Sequence, residues 1–249
     1  MPHADPSASS SELRPPPRRP IQWRRAAQAL WLLHEGRPEN AAPASYGVVD
    51  ALGGQSDARL LRRVLATEEG RRLSRERPSL PDVLGDHDRL RSLPDASFGR
   101  AYLALAERHG LNALDLIAFQ HSASRDYAAL DPLRQWFSDR LTVMHDLWHV
   151  LVGYDATTAG ESAIVCFSIA QGIHYRPMPV YVAMLLAKRL VAPRFAWEAY
   201  RRGRRARLLA AQPYEMLLPL PLAAIRERLG LAEPERAHHH VPQNLLIPA

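Results

Sequence analysis

Apolar residues recur at helical spacing along nearly the whole chain from Trp23 onward. They return every three to four residues, and several of these stretches close on a glycine, which is typical of amphipathic helices and their C-terminal caps. No stretch alternates apolar and polar residues for long enough to predict a strand. The pattern therefore predicts a mainly α fold, a single-domain helical bundle-like fold. The predicted helices are 22–36, 57–76, 97–110, 112–123, 127–152, 160–172, 178–190, 194–211 and 219–229.

The two ends of the chain lack this pattern. Residues 1–20 are rich in proline, serine and arginine, which predicts a disordered N-terminal tail. They contain no apolar core like that of a secretory signal, and Asp5, Glu12 and the prolines argue against a transit peptide. We expect a helical domain over 21–235 and a C-terminal tail over 236–249. No apolar run in the sequence is long enough to span a bilayer.

The charge balance adds an expectation about partners. The 32 Lys and Arg against 26 Asp and Glu give a formal net charge of +6, which favours nucleic acid, an anionic membrane surface or a phosphorylated ligand. We find no basic groove interleaved with aromatic residues and no nucleic-acid motif, so we predict no nucleic-acid binding. An anionic membrane surface is the favoured partner, with a solvated helix face as the alternative for the basic cluster. The clustered arginines are Arg201, Arg202, Arg204, Arg205 and Arg207.

The stretch MHDLWHVLVGYDATTAGES at 144–162 places ionisable side chains in a helix that is otherwise nearly all apolar. Side chains on an α-helix advance about 100° per residue, so His145, Asp146 and His149 fall within one arc of about 100°. Two histidines four residues apart point the same way, as two nitrogen ligands of one metal ion do. Asp146 can add an oxygen ligand or orient an imidazole ring from outside the coordination sphere. Buried charged groups are costly unless something satisfies them, and a divalent cation does so.

A second carboxylate follows after a turn. We expect Gly153 to end the helix, Asp155 to lie in the turn, and Glu161 to close a site of two imidazoles and two carboxylates. This mixed donor set is compatible with Zn, Fe, Mn or Co and does not choose among them. The alternative for Glu161 is a capping box, because Thr158 stands three residues before it. The alternatives for the histidines are a chance spacing of hydrogen-bonded core residues and an HD-type phosphohydrolase, whose further histidines and distant aspartate we do not find.

These residues also carry a family resemblance. HDLWHVLVGYDATTAGE resembles the signature of the ubiquinone (coenzyme Q) biosynthesis protein 4 family, His-Asp-x-x-His followed after eleven residues by Glu, and eleven residues separate His149 from Glu161. LPDASFGRAYLALAERHGL at 93–111 resembles the family's Leu-Pro…Leu-Gly-Arg-x-Tyr segment. Residues 201–231 resemble its C-terminal region, with a Gly-Arg-Arg stretch, a Tyr-Glu and a closing Leu-Arg…Leu-Gly.

The chain departs from the family pattern at two places within the resemblance, which runs in order over about 93–231. VCFS at 165–168 lacks the Lys and second Glu that often follow the motif glutamate. RLTV at 140–143 keeps only Arg140 of the usual Arg-Tyr-Arg-Glu. The four candidate ligands are unaffected, so these departures bear on the surroundings of the site.

The resemblance implies a helical fold in which a divalent metal, usually taken as zinc, is held by His145, Asp146, His149 and Glu161. It implies that these residues are catalytic in a carbon–carbon lyase that removes the C1 carboxylate of a polyprenyl-4-hydroxybenzoate intermediate, with coupled hydroxylation left open. It also implies a peripheral membrane protein whose partners are the polyprenylated aromatic substrate and the other ubiquinone-biosynthesis proteins. The alternative is a non-catalytic lipid-binding scaffold. A homodimer is compatible with these expectations, and the expected location is the cytoplasmic side of a bacterial inner membrane rather than the mitochondrial inner membrane.

Overall fold

The computed structural model describes residues 22–35, 47–48, 51, 56–124, 127–173, 186 and 191–231. The α-helices in these ranges are α1 (Trp23–Glu35), α2 (Ser56–Leu65), α3 (Glu68–Glu76), α4 (Leu80–Gly85), α5 (His87–Arg91), α6 (Phe98–His109), α7 (Ala113–Ala123), α8 (Pro132–Val152), α9 (Thr158–Gln171), α10 (Pro193–Arg205), α11 (Tyr214–Leu217) and α12 (Leu222–Leu229). Tyr127–Ala129 and Leu209–Ala211 form short 3₁₀ turns. Within these ranges there is no strand beyond an isolated antiparallel bridge between Ser97 and Pro221. The predicted mainly α fold is confirmed.

The segment predicted as one helix over 57–76 is two helices, α2 and α3. The break falls at Thr67, whose side-chain oxygen accepts a hydrogen bond of 3.0 Å from the backbone N–H of Gly70. The Thr67 hydroxyl also donates to the carbonyl oxygen of Val64 at 2.7 Å. A threonine at this position satisfies an amide at the start of the second helix, which stabilises the break. The apolar stripe continues across it, and for that reason the periodicity alone predicts a single helix.

The C-terminal helices are shorter than predicted. Helix α10 ends at Arg205 instead of continuing to 211, and the chain then forms the separate 3₁₀ turn. Helix α12 begins at Leu222 instead of 219, directly after Pro221. Proline has no backbone N–H and a fixed φ, so it precedes or starts a helix more readily than it lies inside one.

Helices α4, α5 and α11 were not among the predicted elements. The first two follow a polar capping residue: the side chain of Ser79 accepts from the backbone of Asp82, and that of Asp86 accepts from Arg89. Elements of five or six residues show too few turns for a hydrophobic period to be recognised, so local caps decide them.

Helix α8 lies at the centre of the core. It contacts α2, α4, α6, α7, α9 and α12, and Phe137, Leu147 and Trp148 are among its fully buried side chains. Helix α9 packs against α10 at a close crossing, because a Cβ atom at Gly203 would lie 2.6 Å from the carbonyl oxygen of Phe167. The helix that carries the two candidate histidines is therefore held from several sides.

Some predictions lie outside the described residues. These are the tails over 1–20 and 236–249 and, apart from Leu186, the helix predicted over 178–190. The domain bounds 21–235 accordingly stay a prediction. Of the helices that the structure describes, none combines the length and apolarity needed to cross a membrane.

Candidate metal centre

The two histidines lie in the last two turns of α8. The helix begins at Pro132 after Asp131, whose carboxylate accepts a hydrogen bond from the backbone N–H of Arg134. It ends at Gly153, where φ is 73° and the backbone N–H donates to the carbonyl oxygen of His149 at 2.8 Å. A positive φ favours glycine because other residues place a Cβ in conflict with the backbone there. The predicted glycine turn is confirmed.

Helix α9 begins one residue earlier than it would if Thr158 were its N-cap. Its cap is Thr157, whose side-chain oxygen accepts from the backbone N–H of Gly160 at 3.2 Å. Asp155 is exposed in the turn and accepts from the backbone N–H of Thr157 at 3.2 Å, as expected for a turn residue. The predicted pairing of Thr158 with Glu161 as a capping box is therefore wrong, because Thr157 satisfies the helix start. The carboxylate of Glu161 faces α8 instead.

Two imidazole nitrogens and the two oxygens of one carboxylate converge between the two helices. His145 Nε2 and His149 Nε2 lie 3.2 Å apart. Glu161 Oε2 lies 3.3 Å from His145 Nε2, and Glu161 Oε1 lies 3.3 Å from His149 Nε2. Ligands of a tetrahedral zinc at 2.0–2.1 Å lie roughly 3.3 Å from one another, from the geometry of the tetrahedron. The separation of the two imidazole nitrogens, and the shortest distance from each to a carboxylate oxygen, are close to this value, so the three residues could hold a divalent cation.

The orientation of His149 is fixed by its second ring nitrogen. Nδ1 lies 3.0 Å from the backbone carbonyl oxygen of Tyr154. A carbonyl oxygen only accepts, so Nδ1 carries a proton and donates it, and Nε2, which faces the cluster, is the nitrogen available to a metal ion. Only 3% of the His149 side chain is exposed, against 43% for His145 and 45% for Glu161. The cluster is therefore buried on the His149 side and open to solvent on the other.

Asp146 lies beside this cluster and is not part of the converging set. Burial raises the pKa of the Asp146 carboxyl above its usual value, while the charges of His145 and His149 lower it in part. The charge of Asp146 also acts on Tyr102 in α6, and His109 at the end of that helix acts on Asp146. Of the two predicted roles for Asp146, a direct ligand or an electrostatic neighbour, this position favours the second. Its assignment as a ligand stays a prediction.

The charges within the cluster stabilise one another. Burial alone lowers the pKa of His145, but the hydrogen bond and charge of Glu161 and the charge of Asp146 outweigh it and raise the pKa. Burial favours the neutral form of Glu161, but hydrogen bonds and charges from both histidines hold the pKa of its carboxyl well below the usual range. The carboxylate is thus ionised at neutral pH, as a metal ligand must be.

The sequence did not predict a buried ion pair on the helix that carries the two histidines. Arg140, one turn and a half before His145, is 1% exposed and pairs with Glu215, with Nη2 3.0 Å from Oε2. Nη2 also donates to the carbonyl oxygen of Gln212 at 2.9 Å. Both partners stand in segments of the family resemblance, but 75 residues separate them, and no spacing rule connects residues so far apart.

The arginine cluster divides between two faces of the fold. Arg202 turns inward, where Nη2 donates to the carbonyl oxygen of Val152 at 3.0 Å. The prediction that Arg202 faces a membrane surface is therefore wrong, because its guanidinium is committed to the end of α8. The remaining four are exposed: Arg201, Arg204, Arg205 and Arg207.

Comparison with known proteins agrees with the family resemblance. A sequence model of the family described as "Coenzyme Q (ubiquinone) biosynthesis protein Coq4" matches residues 44–235, and so begins well before the segment at 93–111. The ubiquinone biosynthesis protein coq4, mitochondrial, of Pyrenophora tritici-repentis is 31% identical over 178 residues, which are 69% of this chain and 58% of that protein. The COQ4 homolog, mitochondrial, of Bos taurus is 29% identical over 205 residues, 77% of this chain and 73% of that protein. The chain thus spans little more than half the length of the fungal relative.

A solved structure supports the fold. A crystal structure from Nostoc punctiforme PCC 73102, named for ubiquinone biosynthesis, superposes with a TM-score of 0.58 at 19% identity. The match covers 86% of this chain and all of that one. At this identity the likeness shows a shared helical fold.

Proposed function

The chain belongs to the coenzyme Q (ubiquinone) biosynthesis protein Coq4 family, and we propose that it is a metal-dependent decarboxylase acting at C1 of a polyprenyl-4-hydroxybenzoate intermediate. The observation that carries this proposal is the donor cluster of His145, His149 and Glu161, in which the imidazole nitrogens lie 3.2 Å apart and each lies 3.3 Å from a different oxygen of the carboxylate. A structural metal site is usually closed by four protein ligands, whereas a catalytic one keeps a position open. The half-exposed side of this cluster, formed by His145 and Glu161, supports a catalytic role.

The residues present fit a divalent metal ion. Two imidazole nitrogens and one carboxylate are donors for zinc and equally for Fe, Mn or Co, so zinc is the expected ion by resemblance alone. When bound, such an ion supplies Lewis acidity that polarises and orients a substrate oxygen. If the ion is zinc, coupled hydroxylation requires an oxidant or a partner enzyme, because zinc has no redox chemistry.

The proposed reaction consumes one proton and releases CO2. Protonation of the ring at C1 gives a dienone, and the bond from C1 to the carboxylate then breaks. Its electron pair returns to the ring, which becomes aromatic again as CO2 leaves. The protein must therefore hold the ring with C1 accessible to a proton and with the carboxylate oriented for departure.

The side chains of the site contribute orientation and charge to this reaction. His149 is held by the Tyr154 carbonyl and directs Nε2 into the cluster. His145 and Glu161 line the accessible side, where an anionic carboxylate or phenolate of the substrate can approach. Asp146 lies beside the histidines, and its charge helps to raise the pKa of His145.

We expect His149→Ala to abolish CO2 release. The purified protein is loaded with Zn²⁺, Fe²⁺, Mn²⁺ or Co²⁺ and given a prenylated 4-hydroxybenzoate labelled at the carboxyl carbon, and labelled CO2 is collected. His121→Ala is the matched control, because His121 lies outside the metal cluster and pairs with Asp139 on the surface. Wild-type protein that releases no CO2 with any of the four metals, or a His149→Ala variant as active as wild type, would contradict the proposal.

The substrate is membrane-bound, and the outer face of α10 supports a membrane contact. Trp197 is 61% exposed there and its ring stacks on that of Tyr200 with centroids 5.7 Å apart. Tryptophan beside arginine is typical of protein surfaces that lie in the headgroup region. Arg201, Arg204 and Arg205 are exposed on the same helix, and their charge complements an anionic bilayer.

We expect the triple variant Arg201→Gln, Arg204→Gln, Arg205→Gln to bind phosphatidylglycerol vesicles more weakly by about 100-fold. Each arginine near the surface contributes about 1 kcal/mol, and 1.4 kcal/mol is a factor of ten. Vesicle co-sedimentation at low salt measures the loss. The control replaces three exposed arginines on other helices with glutamine, namely Arg75, Arg89 and Arg108. Equal losses in the two triple variants would show that net charge, and not this face, determines binding.

A further inference from the structure

We propose that Arg202 is a positioning residue for the metal ligand His149, which it holds through the turn that follows α8. This inference rests on the proposed metal site and assigns a role to a residue that touches neither metal ligand nor substrate. The contact runs from the guanidinium to Tyr154, and from the backbone carbonyl of Tyr154 to His149 Nδ1 at 3.0 Å.

The inner face of α10 holds the Tyr154 side chain on two sides. The ring of Phe195 meets the Tyr154 ring edge to face, with centroids 5.4 Å apart and an interplanar angle of 84°. The guanidinium carbon of Arg202 lies 5.0 Å from the centre of the same ring, and its charge lowers in part the pKa of Tyr154 that burial raises. Tyr154 is 2% exposed, so its ring has little freedom to move.

Arg202 also holds the other end of the turn. Its Nη2 donates to the carbonyl oxygen of Val152 at 3.0 Å, one of the last carbonyls of α8, which have no partner within the helix. One guanidinium thus joins Val152, before the glycine turn, to Tyr154, after it. These contacts restrain the backbone from Val152 to the Cα atom of Tyr154, from which the Tyr154 carbonyl extends to His149.

That carbonyl determines which nitrogen of His149 carries the proton. A neutral imidazole is protonated at one nitrogen and presents a lone pair at the other, and the hydrogen bond at Nδ1 selects the form with the lone pair at Nε2. Groups that orient a metal-bound histidine in this way typically change metal affinity by about 10- to 100-fold when removed. Arg202 acts on His149 through Tyr154 and not directly, so we expect a change in metal affinity at the lower end of that range.

The chain offers a matched comparison in Arg226. This arginine also caps the end of α8, since Nε donates to the carbonyl oxygen of Leu151 at 3.0 Å and Nη2 to that of Val150 at 2.9 Å. Both acceptors precede the turn. A loss of helix capping alone therefore affects Arg202→Gln and Arg226→Gln alike, whereas loss of His149 orientation follows only from Arg202→Gln.

The test measures metal affinity and the His149 tautomer in the full chain. Zn²⁺ and Co²⁺ affinities are measured by competition with a chelator for wild type, Arg202→Gln, Arg202→Lys, Arg226→Gln and the exposed neighbour Arg201→Gln. We expect about tenfold weaker binding for Arg202→Gln, a smaller loss for Arg202→Lys, which keeps one donor, and little change for the other two variants. Without metal, ¹⁵N NMR of the imidazole is expected to show His149 protonated at Nδ1 in wild type and a mixture of tautomers in Arg202→Gln.

The outcomes separate this inference from the proposed function. Equal affinity and an unchanged His149 tautomer in folded Arg202→Gln would overturn the positioning role, and so would an equal loss in Arg226→Gln. A protein that binds metal, loses affinity in Arg202→Gln and releases no CO2 leaves the positioning role standing and refutes the decarboxylase. If Arg202→Gln does not fold, Arg202→Lys decides the question by the same two measurements.

Discussion

A Glu161→Gln variant is expected to fold normally, to bind the metal more weakly by at least about 100-fold, and to support no ubiquinone synthesis. Glutamine keeps the size of the side chain but replaces an ionised ligand with a neutral amide. Glu161 is the only carboxylate in the converging set within the described part of the chain, and it approaches both histidines at 3.3 Å. Removal of a group that only hydrogen-bonds a metal ligand already weakens metal binding by about 10- to 100-fold, so removal of a direct ligand is expected to weaken it at least as much.

The measurement is complementation of a cell that lacks its own Coq4-family protein, with ubiquinone quantified by chromatography and metal content measured on the purified variant. Asp155→Asn is the control, because Asp155 is an exposed carboxylate in the turn between the same two helices. The result also separates an enzyme from a scaffold. A Glu161→Gln protein that has lost its metal, still recruits pathway partners and restores ubiquinone would falsify the catalytic proposal and favour the scaffold.

The second large effect is on stability. Glu215→Ala is expected to lower the free energy of unfolding by about 3–5 kcal/mol, because it leaves the guanidinium of Arg140 buried without its carboxylate. Arg140 would keep the Gln212 carbonyl as an acceptor, and its Nε already has no hydrogen-bond partner within the described residues. Its guanidinium carbon also lies 5.8 Å from the centre of the Trp136 ring and 5.9 Å from that of Tyr214, so little water can reach it.

Chemical denaturation followed by circular dichroism measures this loss. Glu69→Ala is the matched control, because Glu69 pairs with Arg72 on a half-exposed helix face, where a pair contributes roughly 0–1 kcal/mol. Similar losses in the two variants would show that the Arg140 pair behaves as a surface pair. Loss of metal binding in Glu215→Ala under conditions where the variant is fully folded would indicate that the pair also supports the geometry of α8 near the site.

Residue spacing in the sequence predicts one part of the candidate site and leaves another part undecided. His145 and His149 share one helix, so a rotation of about 100° per residue places them on one face of it, whatever the rest of the fold does. The glycine turn at Gly153 is also local, since it depends on one residue at a positive φ. The role of Glu161 is different, because Thr158 made a capping box an equally good local interpretation. Only the position of α9 beside α8, with Thr157 as its cap, directs the carboxylate toward the histidines.

The sequence by itself determined the mainly α class, the face of α8 that carries both histidines, and the family to which the chain belongs. These depend on periodicity, short spacings and the order of motifs, which are all local or linear properties. The tertiary structure alone decided that Asp146 lies beside the donor cluster, that Arg140 pairs with Glu215, and that Arg202 turns inward to the end of α8. The partners in the last two contacts are separated by 75 and 50 residues. Such contacts form because packing brings the helices together and buried polar groups must then find hydrogen-bond partners. No single segment of the sequence determines which groups will meet.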